Sequence, residues 1–129
     1  MNEISTPISP GELLDKLTIL QIKSAQITDP QKLANVQVER GLLQKVVDQH
    51  IPAREDIVAL TTKLQSVNQQ LWVIEDDLRD HERAGDFGDK FVELARSVYF
   101  TNDKRAALKK QVNIVLGSAI IEEKSYSNY

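Results

Sequence analysis

The sequence contains no cysteine and is poor in glycine, proline and aromatic residues. Without cysteine, a disulfide framework, a thiolate nucleophile and a cysteine-based metal site are all excluded. The five glycines and four prolines lie mostly at the joints between periodic segments. No run approaches the roughly 18 apolar residues that a membrane span needs, and the opening MNEISTPISP lacks the basic and apolar regions of a signal peptide. We therefore expect a cytoplasmic protein without a membrane partner.

The bulk composition is that of one ordinary globular domain. Of 129 residues, 41% are hydrophobic and 27% are charged, which is typical of a chain with a real core. The net charge of −3, with both signs interspersed, argues against a nucleic-acid partner, because such proteins usually carry a basic face.

One stretch, from Ile57 to Leu78, has a strictly periodic apolar pattern. Its apolar residues recur at alternating steps of three and four, which is a repeat of 3.5 residues. These seam residues are Ile57, Leu60, Leu64, Val67, Leu71, Ile74 and Leu78. A helix can bury such a seam against another helix, whereas a strand cannot use it. The pattern therefore predicts a long helix that packs in the manner of a coiled coil.

Helix start and stop signals divide the chain into four helices. Ser9-Pro10 and Asp29-Pro30 are typical openings of a helix, and Gly85 and Gly117 are typical endings. We predict helices at about 10–27, 30–50, 54–84 and 89–116, an N-terminal arm at 1–8 and a C-terminal tail at 118–129. The predicted fold is an all-α antiparallel bundle in which a short helical hairpin packs on a long, coiled-coil-like hairpin.

The unequal lengths of the two hairpins predict self-association. The long hairpin should overhang the short one, and apolar surface on the overhang favours a homo-oligomer, in the simplest case a dimer. Trp72 lies off the main seam and covers a second face of its helix. It packs either on the short hairpin of the same chain or at an interface.

Several blocks of the sequence are similar to a known family. They are SPGELLDKLTIL at 9–20, LWVIEDD at 71–77, ELARSVY at 93–99, TNDKRAA at 101–107 and EEKSY at 122–126. Together they resemble an uncharacterised family of short bacterial proteins, known only as a domain of unknown function. The resemblance implies a helical fold. It implies no activity, so no catalytic residue is assigned.

The fourth helix contains a polar break where its apolar seam should face the third helix, because the seam positions there fall on Thr101 and Arg105. The residues of this break that we treat as candidate ligands are Arg96, Tyr99, Asn102, Asp103 and Arg105. Facing polar stretches form either a buried hydrogen-bond network that fixes register or a pocket between helices. Because arginine forks match carboxylates and phosphates, such a pocket would suit a small anionic ligand.

Two lysines of the first helix are further candidates for that pocket. Lys16 and Lys23 lie near Asp15, in a charge pattern that usually marks a solvated helix face. If the hairpins pack so that these lysines point at the polar break, they join the anionic pocket.

Carboxylates crowd the end of the third helix. Helical carboxylates spaced by three or four residues can share Mg²⁺, and the candidate ligands here are Asp76 and Asp80, four residues apart, with Glu75 beside them. All-helical nucleoside triphosphate pyrophosphatases use two such acidic pairs on two helices, and the second pair is missing here. A solvated acidic helix end is the alternative interpretation.

Two functional hypotheses follow from these patterns. The first is a non-catalytic interaction or self-association module that needs no cofactor. The second is a binder of a nucleotide or sugar phosphate, or a metal-dependent enzyme, that uses the polar break and the carboxylates of the third helix with Mg²⁺.

Overall fold

The computed structural model describes residues 2–129 and contains four helices in this range, with no strand among them. They are α1 (Pro10–Gln26), α2 (Pro30–His50), α3 (Glu55–Ala84) and α4 (Asp89–Val115). Each boundary agrees with the predicted one within about one residue, so the all-α bundle is confirmed. None of these helices carries a stretch that is long and apolar enough to cross a bilayer.

The helix ends are fixed by the predicted signals. The Ser9 hydroxyl accepts a hydrogen bond from the Glu12 amide at 3.2 Å, and Asp29 accepts one from the Lys32 amide at 3.1 Å. Gly85 ends α3 in the left-handed region with a φ of 66°, which favours glycine because it has no Cβ. Local chemistry therefore sets where α1 and α2 begin and where the long hairpin turns.

Helix α1 is the centre of the bundle. It packs against α2, α3 and α4, whereas α2 pairs with α1 alone among the helices of residues 2–129. The core joins α1 to the proximal half of the long hairpin, which is formed by the first half of α3 and the second half of α4. The members of this core are Leu14, Ile57, Leu60, Leu64 and Val112. The short hairpin is thus attached to the long one chiefly through α1.

Burial along the long hairpin is uneven. The buried residues of α3 all lie in its first half, between Ile57 and Asn68. The seam continues beyond them, but Leu71, Ile74 and Leu78 are only half-buried. With 17 residues, α1 is about 25 Å long, against about 45 Å for the 30 residues of α3. The predicted overhang is therefore present, and we call residues 71–98 the distal hairpin.

The start of α1 touches α4 so closely that only glycine fits. A Cβ added to Gly11 would overlap the backbone carbonyl oxygen of Lys109 and lie 2.9 Å from the Asn113 side-chain oxygen. Gly41 in α2 is the opposite case, because a Cβ there meets nothing within 4 Å. The two glycines are a matched pair for testing this contact.

We predict opposite effects of alanine at these two positions. Gly11→Ala should lower the free energy of unfolding by about 1–3 kcal/mol, because the overlap forces α1 away from α4. Gly41→Ala should raise it by about 0.5–1 kcal/mol, because glycine costs conformational entropy inside a helix. Urea unfolding followed by circular dichroism measures both. An unchanged free energy of unfolding in Gly11→Ala would contradict the close approach of α1 to α4.

Candidate functional site

A buried carboxylate, Asp15, is the centre of the polar interior. It lies on α1, and its side chain is only 1% exposed. Arg105 of α4 donates two hydrogen bonds to it, from Nε at 2.9 Å and from Nη2 at 2.5 Å. Asn68 of α3 donates a third at 2.9 Å. One carboxylate therefore ties three helices together through charge-assisted bonds.

The neighbours of Asp15 complete this hydrogen-bond network. The Asn68 amide also donates to the Thr18 hydroxyl at 3.0 Å, and that hydroxyl donates to the Asp15 backbone carbonyl at 2.8 Å. In residues 2–129, every buried side-chain nitrogen and oxygen has a hydrogen-bond partner. Such a satisfied interior fixes the position of each helix.

A second set of polar contacts lies one and two turns further along α4. Lys109 forms ion pairs with Glu12 at 2.6 Å and with Glu122 of the C-terminal tail at 3.1 Å. Asn113 accepts a hydrogen bond from the Gly11 amide at 2.7 Å. Arg105, Lys109 and Asn113 are spaced by four residues, so they share one face of α4, which lies on α1. We call this face, with its partners on α1, the polar seam.

The ion pairs raise the pKa of both cations. The hydrogen bonds that Arg105 donates to Asp15 raise the pKa of Arg105 and outweigh the effect of its burial. Burial alone would lower the pKa of Lys109, but its bonds to Glu12 and Glu122 more than offset this, so its pKa is also raised. Both side chains are therefore charged at neutral pH, and each is already paired with a carboxylate.

The structure corrects the interpretation of α1. The charge pattern around Asp15 suggested a solvated face, which is wrong for Asp15 because it is fully buried. Lys16 is exposed and Lys23 is half-buried, and neither belongs to the polar seam. The expectation failed because the pattern of a single helix does not reveal which of its charges a second hairpin covers.

The polar break of α4 faces inward only in part. Arg105 points into the bundle as its seam position predicts, and Asn102 is half-buried. Arg96, Tyr99 and Asp103 are exposed, so the prediction that they face α3 is wrong. Thr101, the other predicted seam position of this break, is buried.

The exposed residues of the break form a separate surface cluster with the tail. Tyr129 lies against Tyr99 and Phe100, with ring centroids 5.4 Å and 4.9 Å away, and its hydroxyl donates to Asp103. That hydrogen bond raises the pKa of Tyr129. The Arg96 guanidinium lies 5.9 Å from the centroid of the Phe100 ring. We call these five residues the aromatic cluster.

A groove of about 330 Å³ lies between α1 and the distal half of α3. It brings predicted site residues from different elements together, because Arg105 lines it along with Glu75 and Asp76. Its remaining lining residues are Ile19, Ile22, Asn68, Leu71, Trp72 and Arg79. Trp72 therefore packs beside α1 of its own chain, which was one of the two positions considered for it.

The carboxylates predicted to bind a metal do not converge. Glu75 lies 3.7 Å from Arg79, and Asp80 lies 2.5 Å from Arg83, so each has a basic neighbour on its own helix. In residues 2–129, no three His, Cys, Asp or Glu side chains come close enough to hold a metal ion together. Nothing in this part of the chain therefore strengthens the Mg²⁺ hypothesis, which stays a prediction.

Glu12 and Asn113 belong to the polar seam, although neither was a predicted site residue. A signal was present, because a basic or amide residue recurs every fourth position at Arg105, Lys109 and Asn113. That spacing predicts one polar face of α4, although it does not identify the helix that covers it.

Replacing the two partners of the ion pair at the centre of the polar seam should have unequal effects on stability. We predict that Arg105→Met lowers the free energy of unfolding by about 3–5 kcal/mol, because it leaves the buried Asp15 charge unpaired. Asp15→Asn should cost less, because the Arg105 side chain is 30% exposed and can reach water. The double variant should cost less than the sum of the two single variants.

Urea unfolding of the two single variants and the double variant provides the measurement. The control is Arg79→Ala, which removes the exposed pair with Glu75 and should change stability by less than about 1 kcal/mol. The prediction is contradicted if Arg105→Met and Asp15→Asn lower the free energy of unfolding equally and the double variant loses the sum of the two. The unequal burial of the partners would then have no effect on stability.

Comparison with known proteins identifies a family but no function. A family model described as "Family of unknown function (DUF6165)" matches residues 4–129. Searches of curated proteins and of solved structures find no match. Since the match extends over nearly the whole chain, the protein belongs to the DUF6165 family of unknown function.

Proposed function

We propose that this protein is a non-catalytic helical module that associates with a second copy of itself through the distal hairpin. The observation that carries the proposal is the incomplete burial of a periodic apolar seam. Leu71, Ile74 and Leu78 continue the seam of α3 beyond its buried first half, and they remain half-buried. Such a seam is normally buried against further helices.

Exposed apolar side chains accompany this seam. In the distal hairpin, Val73 is 49% exposed, Phe87 is 54% exposed and Val92 is 51% exposed. Two helices alone can bury only one strip of each other, whereas two hairpins together form a four-helix bundle with a closed core. A second distal hairpin therefore supplies the missing apolar surface.

Symmetry favours a second copy as the partner. In an antiparallel pair of hairpins, α3 of one copy lies beside α4 of the other. A two-fold arrangement makes this contact twice, as symmetric dimers do. The acidic side of α3 then faces a part of α4 with balanced charge, because Asp89 and Glu93 offset Lys90 and Arg96.

The chemistry of the interior also supports a non-catalytic role. The buried cation Lys109 and the half-buried Arg105 are both paired with carboxylates of the same chain. A phosphate would have to displace Asp15 from Arg105, which would leave a buried carboxylate uncompensated. The polar seam is thus better suited to holding helices together than to binding an anion.

We predict that charge introduced into the distal hairpin abolishes self-association. The native chain should show twice its 14.6 kDa mass in light scattering at micromolar concentration. Val73→Glu combined with Val92→Glu should return the mass to that of one chain, because carboxylates oppose burial of this face.

The matched control is Val58→Glu, at a valine that is 58% exposed in the proximal half of α3. This variant should still show twice the mass of one chain in light scattering. A monomeric native chain across micromolar concentrations, or equal dissociation by both sets of substitutions, would contradict the proposal.

A second candidate function, binding of a small anionic ligand, is supported by the groove beside Trp72. The groove combines an aromatic ring, the Arg105 side chain and the Glu75 and Asp76 carboxylates. This combination would suit a nucleotide or a sugar phosphate, with Mg²⁺ between phosphate and carboxylate.

Trp72 is the only tryptophan in the chain and reports directly on this groove. We predict that, if the groove binds such a ligand, adding a nucleoside triphosphate with Mg²⁺ changes the fluorescence of Trp72 with a saturable dependence. Arg79→Ala should weaken the effect, because Arg79 lines the groove, while Lys63→Ala on the proximal half of α3 should not. No change at millimolar ligand would remove this second candidate.

A further inference from the structure

The C-terminal tail folds back along the outer face of α4. Gly117 reverses the chain with a φ of 65°, a conformation that favours glycine. The reversal is fixed by hydrogen bonds from the Gly117 amide to the Ile114 carbonyl at 3.1 Å and from the Ser118 amide to the Asn113 carbonyl at 2.8 Å. The tail therefore runs antiparallel to the helix that precedes it.

The tail contacts α4 at two places. Near its start, Glu122 pairs with Lys109 at 3.1 Å and Glu123 pairs with Lys110 at 3.3 Å. At its far end, Tyr129 completes the aromatic cluster on α4. Two carboxylates and one aromatic ring thus meet two lysines and an aromatic surface.

The two contact points are matched in spacing. Lys110 and Tyr99 are eleven residues apart on a helix, which is about 16 Å along its axis. Glu123 and Tyr129 are six residues apart, and six extended residues span at most about 20 Å. An extended segment with acidic residues followed six residues later by an aromatic residue therefore fits this face.

The bound tail is weakly held. Tyr129 remains 74% exposed and Tyr126 is 81% exposed, and the pair of Lys110 with Glu123 is open to solvent. Surface ion pairs of this kind contribute little to stability. Among the ion pairs in residues 2–129, the pair of Glu122 with Lys109 is the one partly buried contact of the tail. The rest of the tail lies on α4 without being part of the core, so a competing segment can displace it there.

We infer that the outer face of α4 is a binding surface for extended peptides with consecutive acidic residues followed six positions later by an aromatic residue, and that the tail occupies this surface as an intramolecular competitor. The partner is a protein segment that presents this pattern. The surface involves the outer side of α4, so its occupation is a separate property from association through the apolar distal seam.

The test uses a fluorescein-labelled peptide with the tail sequence SAIIEEKSYSNY as the probe. The full chain is compared with a full-length variant in which Glu123→Gln and Tyr129→Ala release its own tail. Both substituted residues are exposed, so the fold is expected to remain, and an unchanged urea midpoint verifies this. The released variant should bind the probe about tenfold more tightly, because an attached tail competes at a millimolar effective concentration.

Two further arms test the chemistry of the surface in the released variant. Lys110→Glu should abolish probe binding, whereas Lys104→Glu should leave it unchanged. Lys104 lies on the same helix and undergoes the same charge change, but it lines a different groove, beside Lys63 and Val67. A probe in which both glutamates are replaced by glutamine should bind at least tenfold more weakly than the original probe.

The inference is overturned if the released variant and the native chain bind the probe equally, because the tail then does not compete for the surface. It is also overturned if the released variant binds no probe at millimolar concentration. Equal losses from Lys110→Glu and Lys104→Glu would likewise contradict it, since attraction would then be due to net charge. None of these readouts depends on the oligomeric mass, so failure here is distinguishable from failure of the proposed self-association.

Discussion

The burial of the Asp15 carboxylate constrains the rest of the structure. A charge without access to water is tolerated only when it is paired and hydrogen-bonded, and here the partners come from α3 and α4. The side chain of Asn68 must therefore lie at one angle around α3 and that of Arg105 at one angle around α4. Apolar burial is non-directional, whereas these hydrogen bonds join fixed partners, so the ion pair adds specificity of helix position.

The glycine at the start of α1 reflects the same constraint. For Glu12 and Asp15 to reach Lys109 and Arg105, the backbones of α1 and α4 must approach closely at Gly11. The Gly11 amide then reaches the side chain of Asn113. One interface therefore contains the small residue, the ion pairs and the amide contact. A change in any of them affects the others.

The fold could be predicted from the sequence because its determinants are local. Ser9, Asp29 and Gly85 fix helix ends through contacts within a few residues, and the apolar seam from Ile57 to Leu78 needs only the period of a helix. The inward position of Arg105 followed from the same period, since it occupies a seam position of α4.

The partner of Arg105 could not be predicted in the same way. Helical spacing gives the angle of a side chain around its own helix, but it does not reveal how a second hairpin is rotated against the first. One residue of difference rotates a side chain by about 100°. Asp15 was therefore placed on a solvated face, and Tyr99 and Asp103 on an inward face, although the periodicity of both helices was correctly recognised.

The uneven burial of the long hairpin has a consequence for its motion. In the proximal half, backbone amides of α3 and α4 lie in helices clamped by α1, the core and the polar seam. Beyond Arg79, the last residue of α3 in the groove beside α1, the same two helices have no third helix of their own chain over them within residues 2–129. Opening there breaks few apolar contacts within one chain, so amide hydrogen exchange in the monomer should quicken from Asn68 toward Gly85. A single chain thus combines a rigid base with a hairpin end that opens more readily.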